Sequence, residues 1–419
     1  MNSKMGIPEI ESQVREMVFG SNIKTKQQQM RSLAQANGIF PASIQNLYLN
    51  IGAGSYRGFT VPAINIRGIT FDVARAVFRS ALKNKVGAII FEIARSEMTY
   101  TLQSPTEYTA CVMAAALAEG YSGPVFLQGD HIQINRKNFA SDPEKELGTI
   151  KILVKDCIEA GFYNIDIDAS TLVDIEKSDL LDQQATNGQI TAEMTRFIRS
   201  IEPKGITISI GGEIGEIGSG NSTVGDLMAF MESYQQELEP DLKQISKISV
   251  QTGTTHGGIA LPDGTIKKVA LDFDTLEKLS NLAREEYGLG GAVQHGASTL
   301  PDEMFDIFPR IGTLEVHLAT GFQNIIFDSP NFPKKLLDEI HTGLTTKYGI
   351  DRKTTETDAQ FIYGTRKRAF GDFKKEIWNI GPEHLKLIGQ ELEERFSMLF
   401  QKLNVVNTMD VINKVITKN

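Results

Sequence analysis

Short apolar segments alternate with amphipathic helical stretches along most of the chain. This pattern predicts an α/β fold, a (β/α)8 TIM barrel with helical N- and C-terminal extensions. Three observations carry the prediction: the number of apolar segments, the glycine-marked ends of the helices between them, and the lack of a dinucleotide-type phosphate loop. The segments are 60–64, 88–93, 125–127, 164–167, 207–210, 247–250, 292–293 and 314–318, eight in all. Helical spacing takes over between them, as at 71–84, 149–160 and 276–287. Gly161 and Gly288 stand where a helix commonly closes in the left-handed conformation. No G-x-G-x-x-G follows the first segment, which disfavours an open doubly wound sheet.

Around this barrel, expected over 56–335, residues 1–55 read as a helical arm and 336–419 as a helical extension containing an amphipathic stretch at 382–403. Two polar insertions, 132–148 and 174–189, follow the third and fourth strands. Both are expected on the C-terminal face, where barrel enzymes build their sites.

Composition narrows the function classes. Hydrophobic residues make up 41% and charged residues 23%, ordinary values for a globular domain. No apolar run is long enough to span a bilayer, and the first residues lack the pattern of a secretory signal. Cys111 and Cys157 do not make a disulfide framework. These features lead us to expect a cytoplasmic protein with no membrane partner. A net charge of −9 without a basic arm argues against nucleic acid. An acidic chain binds an anionic ligand only through local devices: a metal ion, backbone N–H groups, or a few placed cations.

The chain has six histidines. His131, His256, His295 and His317 lie at or just beyond the ends of strands three, six, seven and eight, whereas His341 and His384 fall in the C-terminal extension. Closing the barrel brings strand ends around one mouth, so widely spaced histidines converge there. Three histidines with an acidic fourth ligand and an open position form a catalytic metal arrangement. Carboxylates and glycines flank them, in Gly129-Asp130-His131, Gly211-Gly212-Glu213-Ile214-Gly215, His256-Gly257-Gly258 and His295-Gly296-Ala297-Ser298. Glycines beside ligands let the backbone approach closely and aim N–H groups at an anion.

From about residue 58 to 328 these motifs resemble the class II, zinc-dependent ketose-bisphosphate aldolases, which include fructose- and tagatose-bisphosphate aldolases. Asp130-His131 resembles the family's Asp-His pair, and the stretch from Ala160-Gly161-Phe162 to Asp168-Ala169-Ser170 resembles its A-G-F…D-G-S. Glu213-Ile214-Gly215 resembles E-L-G, and His256-Gly257 and His295-Gly296-Ala297-Ser298 resemble the two later zinc sites. The resemblance implies one zinc ion per chain, held by His131, His256 and His295 with Glu213 as a fourth or resting-state ligand. It implies that Asp130 handles protons at the C4 hydroxyl and that Asn65 sits near the reacting carbons. Glu216 takes the place of an acid/base glutamate that the family carries on a mobile loop. Phosphate is expected against backbone N–H groups of Gly257, Gly296, Ser298 and Thr320, and the basic run Arg366-Lys367-Arg368, Arg366 first, is expected to meet a second anionic end. The ligand is then a sugar phosphate, and the assembly a homo-oligomer.

The sequence departs from the family at two places. No E-D pair follows Glu213-Ile214-Gly215, and the family's K-x-N-I-D-T-D becomes Glu315-Val316-His317-Leu318-Ala319-Thr320-Gly321. His317 and Ala319 therefore replace an Asn and an Asp, which points to a ketose other than fructose 1,6-bisphosphate. Rival readings are a metal-free accessory subunit, a metal-dependent hydrolase and a Schiff-base aldolase. Retention of three histidines and Asp130 argues against the first, and the lack of an H-x-H on strand one against the second. The third needs a strand-end lysine inside the barrel, whereas Lys247 opens strand six at the face away from the mouth.

Overall fold

The computed structural model describes residues 6–215, 220–253, 261 and 271–416. Nine strands form one all-parallel sheet: β1 (Ile39–Ala42), β2 (Val61–Asn65), β3 (Ile90–Ala94), β4 (Gly123–Gln133), β5 (Asn164–Asp168), β6 (Ser209–Glu213), β7 (Lys247–Val250), β8 (Ala292–Gln294) and β9 (Glu315–Leu318). Their order, β1-β4-β3-β2-β9-β8-β7-β6-β5, is closed by pairing of β4 with β5, so β2 to β9 make an eight-stranded parallel barrel. Every residue of β2, β3, β5 and β6 is buried, because helices cover the outside and side chains fill the inside.

The arm expected to be wholly helical contributes a strand. Helices Ile7–Phe19 and Ile23–Ala36 are present, but β1 then adds to the outer edge of β4 in register 39–42 with 123–126. Pro41 removes one ladder donor, which an edge strand tolerates. β4 is eleven residues long because it serves two partners on one side, β1 along its first half and β5 along its second.

The helices form the outer layer. Helix Pro105–Ala118 is buried almost all round, since it lies between helix Thr70–Asn84 and the N-terminal pair. Helix Pro382–Lys402 of the C-terminal extension packs along Thr70–Asn84. The 174–189 insertion is half helix, since helix Leu180–Ile201 begins inside it. Gly161 closes helix Pro143–Ala160 at φ 97°. Among the described residues no helix is long and apolar enough to cross a membrane.

The lower half of the barrel interior is charged. Lys247 is fully buried, with Nζ 2.8 Å from Gln128 Oε1, 3.0 Å from Asp166 Oδ2 and 2.6 Å from Glu315 Oε1. Tyr48, from the N-terminal arm, donates to the other oxygen of Glu315. Gly211 on β6 makes room, because a Cβ there would run into the Asp166 carboxylate. Lys247 thus points into the barrel interior, at the end away from the mouth. It is sequestered below the mouth by two carboxylates that hold it protonated, the Coulombic attraction of Asp166 and Glu315 overcoming the effect of burial.

Candidate active site

Adjacent residues on a regular strand point to opposite faces, so Asp130 and His131 should not share one site. A β-bulge resolves this. Gly129 pairs with Ile165 and Ile132 with Ile167, so Asp130 and His131 together oppose the single residue Asp166. His131 takes φ 40°, a left-handed value uncommon outside glycine. The irregularity turns both side chains into the mouth.

They meet Glu213 from the end of β6, His295 from just beyond β8 and His317 from β9. His131 Nδ1 lies 3.0 Å from Glu213 Oε2 and 3.5 Å from Asp168 Oδ2. His295 Nδ1 is 3.8 Å from Glu213 Oε1, and its Nε2 is 3.6 Å from Asp130 Oδ1. The imidazole centroids of His131 and His295 are 4.2 Å apart, and those of His295 and His317 are 4.1 Å apart. Asp168 is fixed by Gln133 Nε2 at 2.6 Å and by the Ser170 hydroxyl at 2.6 Å. Gly215, at φ 69°, faces Ser170 so closely that no side chain fits.

These charges set one another's protonation. Burial alone would raise Asp130, but the charges of His131 and His317 outweigh it and hold the carboxyl well below its usual range. Burial would lower His131, yet Asp130 and Glu213 lift it well above 6.5. His295 is driven well below 6.5 by burial and by the charges of His317 and His131, so it is a neutral imidazole ready to ligate. Burial, with the Asp168 charge adding to it, raises Glu213 to about 7.

The residues fit a divalent cation. His131, Glu213 and His295 each offer one ligand atom, all within 4.8 Å of one another. Ligands at about 2.1 Å in tetrahedral array stand roughly 3.4 Å apart. The two oxygens of Glu213 lie near that spacing from the histidines, Oε2 3.0 Å from His131 Nδ1 and Oε1 3.8 Å from His295 Nδ1. Two nitrogens and a carboxylate are borderline donors suited to a first-row metal.

A cavity of about 720 Å³ opens over the cluster. Asn65, Asp130, His131, Glu213, His295, Gly296, Ser298, His317 and Thr320, all singled out by sequence, line it. His256, Gly257 and Glu216 lie outside the described residues. Arg366 does not line the cavity. It is buried against Asp328 and Asn324, with Nη2 2.7 Å from Asn324 Oδ1, so the anion contact assigned to it from sequence has to be withdrawn. The next residue, Lys367, faces the cavity instead.

His317 is also less open to substrate than its sequence position suggests. Its Nδ1 lies 3.0 Å from Glu92 Oε2, and its Nε2 is held by Glu315. Glu92 and Glu97 escaped the sequence analysis, as did Arg67. Glu97 accepts from Asn65 Nδ2 at 2.6 Å and Arg67 Nε at 2.7 Å. A carboxylate inside an apolar strand, as in Phe91-Glu92-Ile93, was the available signal.

The family model for fructose-bisphosphate aldolase class-II matches residues 51–369. Among solved structures, fructose-bisphosphate aldolase from Campylobacter jejuni is similar at 16% identity, covering 88% of this chain and 96% of that chain, with TM-score 0.51. A glycerol complex of fructuronate-tagaturonate epimerase UxaE from Cohnella laeviribosi has 12% identity, coverage of 91% and 85%, and TM-score 0.62. A probable tagatose 6 phosphate kinase from Sinorhizobium meliloti has 14% identity, coverage of 85% and 98%, and TM-score 0.56. At these identities the likeness is one of fold. No curated protein sequence matches the chain.

Proposed function

Because the chain belongs to the class II fructose-bisphosphate aldolase family, we propose that it catalyses reversible aldol cleavage of a phosphorylated ketose, yielding dihydroxyacetone phosphate and an aldehyde. The observation that carries the reading is the bulge that turns Asp130 and His131 together toward Glu213, His295 and His317. A divalent ion, zinc in this reading, would be held by His131, His295 and Glu213 with His256 as the third histidine, and would supply Lewis-acid polarisation of the substrate carbonyl.

The protein's own groups handle the protons. Asp130 is an ionised carboxylate at the floor of the cavity, so it can accept the C4 hydroxyl proton as the C3–C4 bond breaks. C4 becomes the aldehyde carbon. The electron pair of the broken bond passes to the C2–C3 unit, and a second proton, delivered to C3 by the acid/base group for which Glu216 is the candidate, completes dihydroxyacetone phosphate. In condensation the order reverses and Asp130 returns its proton. His317, clamped between Glu315 and Glu92, holds Asp130 from below. Asn65 is oriented by Glu97 with its amide at the cavity wall, beside the reacting carbons. Ser298 and Thr320 border the phosphate end.

The test is to incubate the metal-loaded enzyme with ketose phosphates, fructose and tagatose bisphosphates among them, and follow triose phosphate by a coupled assay and the sugars by NMR. Release of dihydroxyacetone phosphate from at least one ketose is expected. Conversion of a ketose to its epimer with no triose released would overturn cleavage as the net reaction, as would inertness across the panel.

A further inference from the structure

We propose that Arg67 and Lys367 together form a receptor for the terminal anionic group of the substrate, a phosphate or a carboxylate. The receptor lies where the barrel mouth meets the C-terminal extension. The proposal rests on the reading of this cavity as a ketose site and names which end of the ligand docks where.

Both side chains line the cavity that holds the histidine cluster. Arg67 follows directly on β2 and is held from two sides. Nε donates to Glu97 Oε1 at 2.7 Å, and Nη1 reaches Thr320 Oγ1 at 3.2 Å and Gln323 Oε1 at 3.0 Å. Nη2 makes no hydrogen bond to the described residues. The guanidinium is therefore fixed in orientation with one edge free, the pre-organised state in which it captures an oxyanion at little entropic cost.

Lys367 has no carboxylate within ion-pair distance among the described residues. Its ammonium lies 5.7 Å from the centroid of Tyr100, which also lines the cavity. The flanking cations of the same basic run point elsewhere: Arg366 is bound to Asp328, and Arg368 lies 4.3 Å from the ring centroid of Tyr348. Burial and then the Arg67 charge make the Lys367 ammonium harder to keep protonated, which places the two cations in one another's field.

Glu97 pairs with Arg67 and reaches Lys367 only through its field, so Arg67, Lys367 and Glu97 leave one uncompensated positive charge. Two like charges partly withdrawn from water are unfavourable, and an arriving anion relieves the cost. The rest of the mouth is acidic, with Glu92, Asp130, Asp168 and Glu213 around the histidines. Arg67 and Lys367 supply side-chain cations at the other end of the cavity, where an anionic terminus can dock. The reacting carbons are then left over Asp130, His131 and His295. Arg67 touches Thr320, so the receptor extends the phosphate end of the cavity with two side-chain cations.

The test is calorimetric titration of the metal-loaded full-length protein with dihydroxyacetone phosphate, glycerate and uncharged dihydroxyacetone. Lys367 keeps contact with solvent and makes no ion pair with a described residue, so Lys367→Gln should fold normally, which an unchanged melting temperature checks. At least one anionic probe should bind wild type and lose about tenfold or more in affinity in K367Q, the value of one charge-assisted contact. Lys367→Arg should restore binding, and dihydroxyacetone should be indifferent to both changes. The phosphate or carboxylate probe that responds identifies the source of the anion. Failure of both anionic probes to bind wild type, or equal loss for charged and uncharged probes in K367Q, overturns the receptor. Turnover is measured separately. A Lys367-dependent anion site without carbon–carbon cleavage sinks the aldolase reading alone, and cleavage with unchanged anion affinity in K367Q sinks the receptor alone.

Discussion

His317 Nδ1 lies 3.2 Å from Asp130 Oδ1, and its Nε2 lies 2.6 Å from Glu315 Oε1. One imidazole therefore connects the carboxylate at the cavity floor to the buried charge cluster of Lys247 and Asp166. Both ring nitrogens face carboxylates, and these raise the imidazole well above 6.5 despite the opposing effect of burial. The histidine acts on substrate through Asp130. His317→Asn keeps a donor but loses the second contact and the charge. We expect kcat to fall about 10- to 100-fold with KM little changed, the size typical of a lost supporting partner. A changed ranking of ketoses with undiminished kcat would instead make His317 a residue that reads the substrate directly.

Removing Asp130 itself has a different signature. If the ion sits between His131, Glu213 and His295 rather than in the second donor group of Asp130, His295 and His317, Asp130→Ala should retain the metal. Cleavage should drop roughly 100-fold or more, as for loss of a general acid–base group. Metal content and turnover on the same preparation separate the two effects. Loss of metal in D130A would place the carboxylate in the coordination sphere, alongside His295 and His317, with which it forms the alternative donor group.

Lys247 offers a test of the Schiff-base rival. Its Nζ is surrounded by Gln128, Asp166 and Glu315 and lines no part of the cavity. Borohydride added with substrate should leave activity intact, whereas a covalent lysine mechanism would be trapped. Lys247→Met strands two buried carboxylates, and destabilisation of about 3–5 kcal/mol is expected. Denaturant unfolding reads that loss, and an unaltered midpoint would show that the cluster tolerates an uncompensated charge.

Much of this was legible in the sequence, and the failures have physical causes. Apolar runs marked β2 to β9 because barrel strands are buried on both faces. β1 escaped because it is four residues long and gains its partner only after the chain folds back on β4. Spacing alone set Asp130 and His131 on opposite faces. Only the bulge, whose cause is tertiary, joins them. Lys247 was read as lying away from the mouth because it opens its strand, and it does lie below it; what the spacing did not show is the interior space that Gly211 leaves for its carboxylate partners. In the 3-10 turn Arg366–Arg368, three successive cations take three directions, which a basic run in one dimension cannot reveal.

Asp72 provides a pH test independent of the site. Burial raises its carboxyl from 3.8 to about 6, offset only in part by Arg75. A raised carboxyl favours the protonated folded form. Its stabilising contribution is complete below about pH 4 and is lost as pH rises through about 6. Asp72→Asn removes that dependence. The variant should match wild type near pH 4 and melt about 1–3 °C higher above pH 7. A constant difference across the range would mean that Asp72 titrates normally.

The last expectation concerns the ion. His131 and Glu213 come from β4 and β6 and His295 from just beyond β8, so a shared cation would tie together three segments that barrel closure brings to one place. Without a cation, the Glu213 contact to His131 is satisfied by a proton, and binding the ion must release it. Protein isolated without chelator should carry about one divalent ion per chain, and dialysis against a strong chelator should abolish cleavage until zinc is restored. His295→Ala should lose metal and activity together, since it removes the ligand already held neutral. Elemental analysis and turnover measured side by side decide the matter. Metal-free protein that still cleaves a ketose would leave the histidine cluster without its assigned role and would require the electron pair of the broken bond to be stabilised by protein groups alone.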